Sequence, residues 1–229
     1  MKKSIVALLV LMFFISCKTD NKKVTSSTDN GKFGKELSTI LEKVALAHGF
    51  DAWSSVKKIA FTFNVDRPDS HFERGWIWHP KTNDVARISG TDTLRYNRKN
   101  MDSIALKTNG GFINDRYWLL APFNLMWDAN NFTFEHSVSE EAPMSKERLQ
   151  KLTIVYGNEG GYTPGDAYDF YFGKDFLIRE WVFRKGNQAE PNMITSWEDY
   201  QNFNGLQLAT MHKRNGEDFK LYFTQIQVE

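Results

Sequence analysis

The sequence predicts an α+β fold, mainly antiparallel β, in which about 11 strands form a curled, half-open β-barrel capped by an N-terminal helix. Three observations lead to this prediction. Apolar residues follow a helical spacing near the start of the chain, a period of two follows over many short runs, and turn residues separate those runs. A continuous antiparallel sheet of that many strands must curl, which leaves the helix to lie across its open face.

The first sixteen residues have the features of a secretory signal peptide. Lys2 and Lys3 precede an unbroken apolar run, Ile5–Ile15, and the small residue Ser16 follows it. A helical run of eleven residues spans about 17 Å, well short of the roughly 30 Å hydrocarbon core of a bilayer. The sequence therefore predicts export, with residues 1–16 as the signal peptide.

Cys17 is the only cysteine of the chain, so it has no partner within the chain for a disulfide. It directly follows the apolar run, and Phe14–Cys17 resembles the lipobox of bacterial lipoproteins. That resemblance implies lipidation of Cys17 and membrane attachment through acyl chains, with about 0.8 kcal/mol for each buried CH₂. Lys18 stands where an aspartate retains enterobacterial lipoproteins in the inner membrane, which favours the outer membrane. The side that the domain faces stays open.

The charge balance excludes several classes of partner. The chain has 29 basic and 28 acidic residues, and two of the lysines lie in the predicted signal peptide. No basic patch indicates nucleic-acid binding, and no polybasic segment indicates binding to anionic lipid. Residues 17–32 are almost wholly polar and are expected to form a flexible tether, followed by one domain at 33–229.

The helical pattern covers residues 33–48 and stops at Gly49, with a short further turn at Asp51–Trp53. Its apolar face consists of Phe33, Leu37, Ile40, Leu41, Val44 and Ala45. Strands are then expected, joined mainly by hairpins, at Ile59–Val65, His71–His79, Asp84–Ser89, Asp92–Tyr96, Phe132–Ser137, Gln150–Tyr156, Ala167–Phe172, Leu177–Arg184, Thr195–Tyr200, Leu206–Lys213 and Lys220–Val228.

The segment Asp115–Asp128 interrupts the strands, because its apolar residues are too dense for alternation. We expect Asn114 to cap one or two helical turns, Pro122 to end them, and an apolar loop to follow. This segment is the leading candidate for a ligand-binding site, through Trp118, Leu120, Phe123 and Trp127. The alternative is a plug that fills the barrel.

Aromatic strand residues form the second candidate group, namely Phe61, Phe63, Trp76 and Trp78. Alternation places them on inward faces, where they belong either to the core or to a ligand cavity, and Gly75 permits close approach beside the two tryptophans.

No established catalytic or metal-binding motif is found in the sequence, and no cofactor is expected. The five histidines lack metal-ligand spacing, and no P-loop, nucleophile elbow or Cys/His nucleophile is present. His71 and Glu73 share a strand face near Asp66 and Asp69 and provide a weak candidate for a cation site. Charged strand positions are more often solvated.

A helix packed in a curled antiparallel sheet resembles the LolA/LolB group of periplasmic lipoprotein carriers and acceptors. The residues that carry this resemblance are Trp53 leading into Ile59–Val65, and the hairpin Ser196–Leu208. Ala47–Gly49 and Trp118–Phe123 are similar to segments of uncharacterised Bacteroidetes lipoproteins. The resemblance implies a cavity for a lipid or acyl chain, whereas a fold alone does not fix an activity. The alternative hypothesis is an envelope module that binds a protein or glycan partner and has a solidly packed barrel.

Overall fold

A computed structural model describes residues 38–229 of the chain. The predicted signal peptide, Cys17, the tether and the first helical positions, Phe33 and Leu37, lie outside the described residues. Within residues 38–229, no helix combines the length and the apolar content that crossing a bilayer requires.

The described residues form two α-helices, two short 3₁₀ turns at Phe50–Ser55 and Lys185–Asn187, and twelve strands. The helices are α1 (Ile40–Ala47) and α2 (Ser103–Trp127). The strands are β1 (Ile59–Arg67), β2 (Ser70–His79), β3 (Asp84–Ser89), β4 (Asp92–Asn97), β5 (Phe132–Glu141), β6 (Arg148–Tyr156), β7 (Ala167–Phe172), β8 (Ile178–Arg184), β9 (Met193–Ser196), β10 (Glu198–Phe203), β11 (Leu206–Lys213) and β12 (Lys220–Val228).

The strands form two antiparallel sheets, and this corrects the prediction of one continuous curled sheet. The seven-stranded sheet has the order β10-β11-β12-β1-β2-β3-β4, and the five-stranded sheet has the order β5-β6-β7-β8-β9. No closed barrel is present among the described strands. The run predicted as one strand, Thr195–Tyr200, divides at Trp197, so that β9 ends one sheet and β10 begins the other. The mainly antiparallel β class with a few helices is confirmed.

Strand β1 shows why alternating residues specify these sheets. Ile59, Phe61, Phe63 and Val65 are buried, and β1 pairs with β2 on one side and β12 on the other. Its partners on β12 bring apolar side chains to the same face, with Phe63 opposite Phe223. Cross-strand pairs of aromatic residues stabilise a sheet in addition to the area that they bury.

The helix α1 has defined ends. Thr39 forms a capping box with Glu42, whose backbone N–H donates to the threonine hydroxyl at 3.2 Å. The helix ends at His48 and Gly49, where Gly49 has φ +85°. A Cβ at Gly49 would overlap the carbonyl oxygen of Gly205, so this position requires glycine for space as well as for conformation.

The helix α2 corrects the prediction for Asp115–Asp128. It begins eleven residues before the predicted cap, because the side chain of Asp102 accepts a hydrogen bond from Ala105 N at 2.8 Å. It also continues through Pro122 to Trp127, with one non-helical residue at Leu120 (φ −123°). Proline therefore kinks this helix without ending it, because the surrounding core holds both halves in place.

Side chains of α2 pack against both sheets in a single core. Phe112 lies 5.4 Å from Trp76 of β2, and Trp118 lies 4.4 Å from Trp181 of β8, measured between ring centroids. The shorter helix α1 packs against α2, with Leu41 and Val44 buried. The sequence predicted that α1 covers the open face of the sheet, whereas the space between the sheets is occupied mainly by α2.

Candidate functional site

The four candidate residues of the segment Asp115–Asp128 all lie on the second half of α2. Trp118 is 8% exposed, while Leu120 and Phe123 are fully buried. Trp127 is partly exposed and is the most exposed of the four. This half of α2 occupies the interior, and a ligand can enter there only if the helix moves.

The four strand candidates are also buried. Phe61 and Phe63 both contact Phe223 at 5.8 Å. Trp76 and Trp78 both contact the ring of Phe112, at 5.4 and 5.6 Å. The structure thus places Phe61 and Phe63 against β12, and places the two tryptophans against α2.

An aromatic cluster joins the end of α2 to the 3₁₀ turn at Phe50–Ser55. Trp53 lies 5.5 Å from Trp78, 5.5 Å from Phe123 and 4.8 Å from Trp127. Three of these four residues belong to the predicted site, and Trp53 adds to them. Their contacts form a continuous apolar surface from the partly exposed Trp127 into the buried core.

A buried carboxylate fastens α2 to β2, and the sequence did not predict this contact. Asp115 has no exposed surface and accepts hydrogen bonds from two nitrogens of Arg74, from Trp76 Nε1 at 2.8 Å and from Asn114 Nδ2 at 3.0 Å. Periodicity does not identify such a residue, because it lies within an apolar stretch of helix. Its partner on β2 is 41 positions away in the sequence, so no local pattern indicates the contact. All four donors satisfy the carboxylate, which assigns it a structural role.

Several interior side chains have polar atoms without a hydrogen-bond partner among residues 38–229. Asn124 of α2 is 1% exposed, and neither its amide nitrogen nor its amide oxygen is bonded. The indole nitrogens of Trp181 and Trp197 and the hydroxyl of Thr195 share this condition. An unbonded buried polar group costs about 1–3 kcal/mol, so native interiors contain few of them without a bound water or ligand.

His212 of β11 lies beside the unbonded indoles. Its ring is 5.3 Å from Trp118 and 4.7 Å from Trp197, and its Nδ1 lies 3.1 Å from the carbonyl oxygen of Ser196. Burial lowers the pKa of His212 to about 3, although the carbonyl groups of Ser196 and Trp118 oppose that shift. His212 is therefore neutral at physiological pH, with Nδ1–H as the donor to Ser196.

The candidate cation site on β2 is a pair of surface contacts. His71 Nδ1 lies 2.7 Å from Asp66 Oδ1, and its Nε2 lies 3.6 Å from Glu73. The hydrogen bond with Asp66 raises the pKa of His71. No group of three or more His, Cys, Asp and Glu side chains is arranged for a metal ion in the part of the chain that the structure describes.

Three surface grooves do not include the candidate residues of α2. The first, of about 600 Å³, lies across the face of the seven-stranded sheet opposite to the core and includes Thr62, Gly75, Ile88 and Gln225. The second, of about 410 Å³, lies across β2, β3 and β4. The third, of about 300 Å³, lies beside β9. Phe61 and Trp76 also line the first groove.

Comparison with known proteins identifies the fold. No family model matches the chain, and no curated protein matches it significantly. Its structure is similar to that of a LolA superfamily protein from Nitrosomonas europaea, with a TM-score of 0.51 and 12% identity over 83% of this chain and 92% of the other. The LolA-like fold expected from the sequence is thereby confirmed, whereas an identity this low says nothing about a ligand.

Two further solved structures show weaker similarity. One is a DUF1329 family protein from Desulfovibrio piger, with a TM-score of 0.45 and 8% identity over 83% of this chain and 93% of the other. The other is a domain from Vibrio parahaemolyticus named for outer membrane lipoprotein sorting, with a TM-score of 0.47 and 9% identity over 83% and 91%.

Proposed function

We propose that this protein binds a lipid or another hydrophobic ligand between its two sheets, without catalysis, as a lipoprotein anchored to the outer membrane through acyl chains on Cys17. The LolA-like fold supports a carrier type of protein. The apolar surface from Trp127 through Phe123 into the core supports a ligand with a long apolar part. An anchored protein of this kind acts as an acceptor at a fixed place in the envelope.

The observation that carries the proposal is the buried side-chain amide of Asn124, which has no hydrogen-bond partner among residues 38–229. Its two polar atoms lie in an apolar interior, which matches pockets that use few polar groups to orient a mainly apolar ligand. The indole nitrogens of Trp181 and Trp197, which also lack hydrogen-bond partners, offer two more donors in the aromatic cluster that includes Trp118. An ester or amide carbonyl of a lipid would accept from such donors.

Binding requires the second half of α2 to move, because its side chains fill the interior. The irregular backbone at Leu120 and the missing N–H of Pro122 give this half of the helix a place to bend. Each Å² of apolar area that the ligand removes from water contributes roughly 25 cal/mol. A longer apolar chain therefore offsets more of the packing that α2 gives up.

Native mass spectrometry tests the proposal. The chain from Lys18 onward retains every contact described here, because all of them lie within residues 38–229. After mild purification we expect a bound lipid in its spectrum, and we expect Asn124→Leu to reduce the bound fraction severalfold. Asn130→Leu, at an exposed position beyond the same helix, is the matched control and should retain the lipid.

A bare mass for the unaltered chain, together with higher stability of Asn124→Leu, would contradict the proposal. That outcome favours an envelope module that binds a protein or glycan partner. The filled interior and the 600 Å³ groove on the outer face of the seven-stranded sheet support this second function.

A further inference from the structure

Arg116 of α2 is a cation surrounded by aromatic rings. Its guanidinium carbon lies 5.3 Å from the ring centre of Trp78, 5.2 Å from that of Trp127 and 6.0 Å from that of Phe112. Its Nε is buried and has no hydrogen-bond partner, and no carboxylate forms an ion pair with it among residues 38–229. Cation–π contacts stabilise the charge, but they leave the N–H donors of the group without acceptors.

Arg98, directly after β4, places a second cation at the same ring. Its guanidinium carbon lies 5.5 Å from the centre of Phe112, and its Nε donates to Asn109 Oδ1 at 3.2 Å. Burial, and after it the positive charge of Arg98, lower the pKa of Arg116 to about 10. Both groups are protonated at neutral pH. Both cations therefore lie against the ring of Phe112 in partly buried positions, where a bound anion would reduce the repulsion between them.

The carboxylate that most favours the charged form of Arg116 does not fulfil this role. Asp128, at the end of α2, favours the charged form of Arg116 but lies beyond the distance of an ion pair. Its Oδ2 accepts a hydrogen bond from the hydroxyl of Tyr156 at 3.2 Å, and burial raises the pKa of Asp128. The N–H groups of Arg116 therefore remain available to a ligand.

We infer that Arg98 and Arg116 bind the anionic head, a carboxylate or a phosphate, of an amphiphile whose apolar chain extends past Trp127 and Phe123 into the interior. The rings around Arg116 are the same rings that begin the apolar surface, so head and chain positions are adjacent. Arginine suits this role because its planar group donates two parallel hydrogen bonds to either anion. The part of the inference that concerns the apolar chain of the ligand rests on the proposed function. The part that concerns anion binding by Arg98 and Arg116 does not.

Fluorescence titration of the chain from Lys18 onward tests the inference, since Trp78 and Trp127 contact Arg116 and report on binding there. Three compounds are compared below micellar concentrations: dodecanoate, its uncharged analogue glycerol monolaurate, and inorganic phosphate. We expect dodecanoate to bind about tenfold or more tightly than the uncharged analogue. Arg116→Gln should remove that preference while leaving the affinity for the uncharged analogue unchanged.

Two further variants keep the test decisive. Arg98→Gln changes a more peripheral cation and should reduce the same preference if Arg116→Gln does not fold. Lys107→Gln removes an exposed cation from the same helix and should change nothing. Equal affinity of the unaltered chain for dodecanoate and the uncharged analogue would overturn the inference, as would an unchanged preference in both arginine variants.

The third compound separates this inference from the proposed function. If neither amphiphile binds but phosphate quenches the fluorescence of the unaltered chain and not of Arg116→Gln, the anion site stands and the proposed function fails. If the uncharged analogue binds as well as dodecanoate, the proposed function stands and the anion site fails. If none of the three compounds binds, both fail.

Discussion

Replacing Asp115 with alanine is expected to destabilise the fold more than any exposed substitution on α2. The carboxylate is fully buried and accepts from Arg74, Trp76 and Asn114. Without it, the indole N–H of Trp76, a residue that is 1% exposed, has no acceptor and no access to water. An unbonded buried donor costs about 1–3 kcal/mol.

The loss of the ion pair adds to that cost. Removing one partner of a buried ion pair costs about 3–5 kcal/mol. The side chain of Arg74 is 25% exposed, so water reaches its guanidinium and the cost of losing this ion pair lies at the lower end of that range. The two effects overlap, and we expect a total of about 4 kcal/mol. For a chain of this size that corresponds to a decrease of about 10 °C in the melting temperature.

Urea unfolding of the chain from Lys18 onward measures this effect, followed by both circular dichroism and tryptophan fluorescence. Asp102→Ala is the matched control, because it removes an exposed carboxylate that caps the same helix and should cost about 1 kcal/mol. A loss for Asp115→Ala no larger than that of the control would refute the assignment of Asp115 as the contact that fastens α2 to β2.

Two other predictions concern the same helix and the core beside it. A Cβ at Gly111 would lie 2.8 Å from Nη1 of Arg74, so Gly111→Ala should lower the free energy of unfolding by about 1 kcal/mol, whereas Gly110→Ala, with no atom within 4 Å, should raise it by about 0.5–1 kcal/mol in the same urea titration. Burial lowers the pKa of His212 from 6.5 to about 3, so the unfolded chain binds a proton that the folded chain excludes between those values. Its contribution to stability is complete above pH 6.5 and decreases by about 1.4 kcal/mol per unit as the pH falls towards 3, and His212→Gln should reduce the measured slope by that amount. His48, whose pKa burial lowers to about 4, should maintain part of the slope in that variant, and an identical slope with and without His212 would contradict the prediction.

The strands were predictable because their signals are local. Asp84–Ser89, Ala167–Phe172, Leu206–Lys213 and Lys220–Val228 begin and end where the alternation and the turn residues place them. The division at Trp197 was not predictable in this way. Ser196 and Trp197 carry no turn signal, and the separation into two sheets depends on which distant strands each half pairs with.

The first half of α2 was missed for a physical reason. Residues 103–113 include Gly110 and Gly111, and their five apolar residues are not spaced along one helical face, so neither helix propensity nor periodicity indicates a helix there. Contacts with distant strands stabilise it, above all those of Asp115 and Phe112. The same limit applies to Arg116, because the rings around it come from a strand and from both halves of α2 and are brought together only by the fold.

Trp197 is the single residue between β9 and β10, so the two sheets are connected at these edges by a very short link. At the opposite edges, β4 and β5 are connected through the whole length of α2, which packs against both sheets. We therefore expect any separation of the two sheets to turn about Trp197 and to be widest near α2. A substitution that makes the link at Trp197 more rigid would slow the exchange of a molecule bound between the sheets without contacting that molecule.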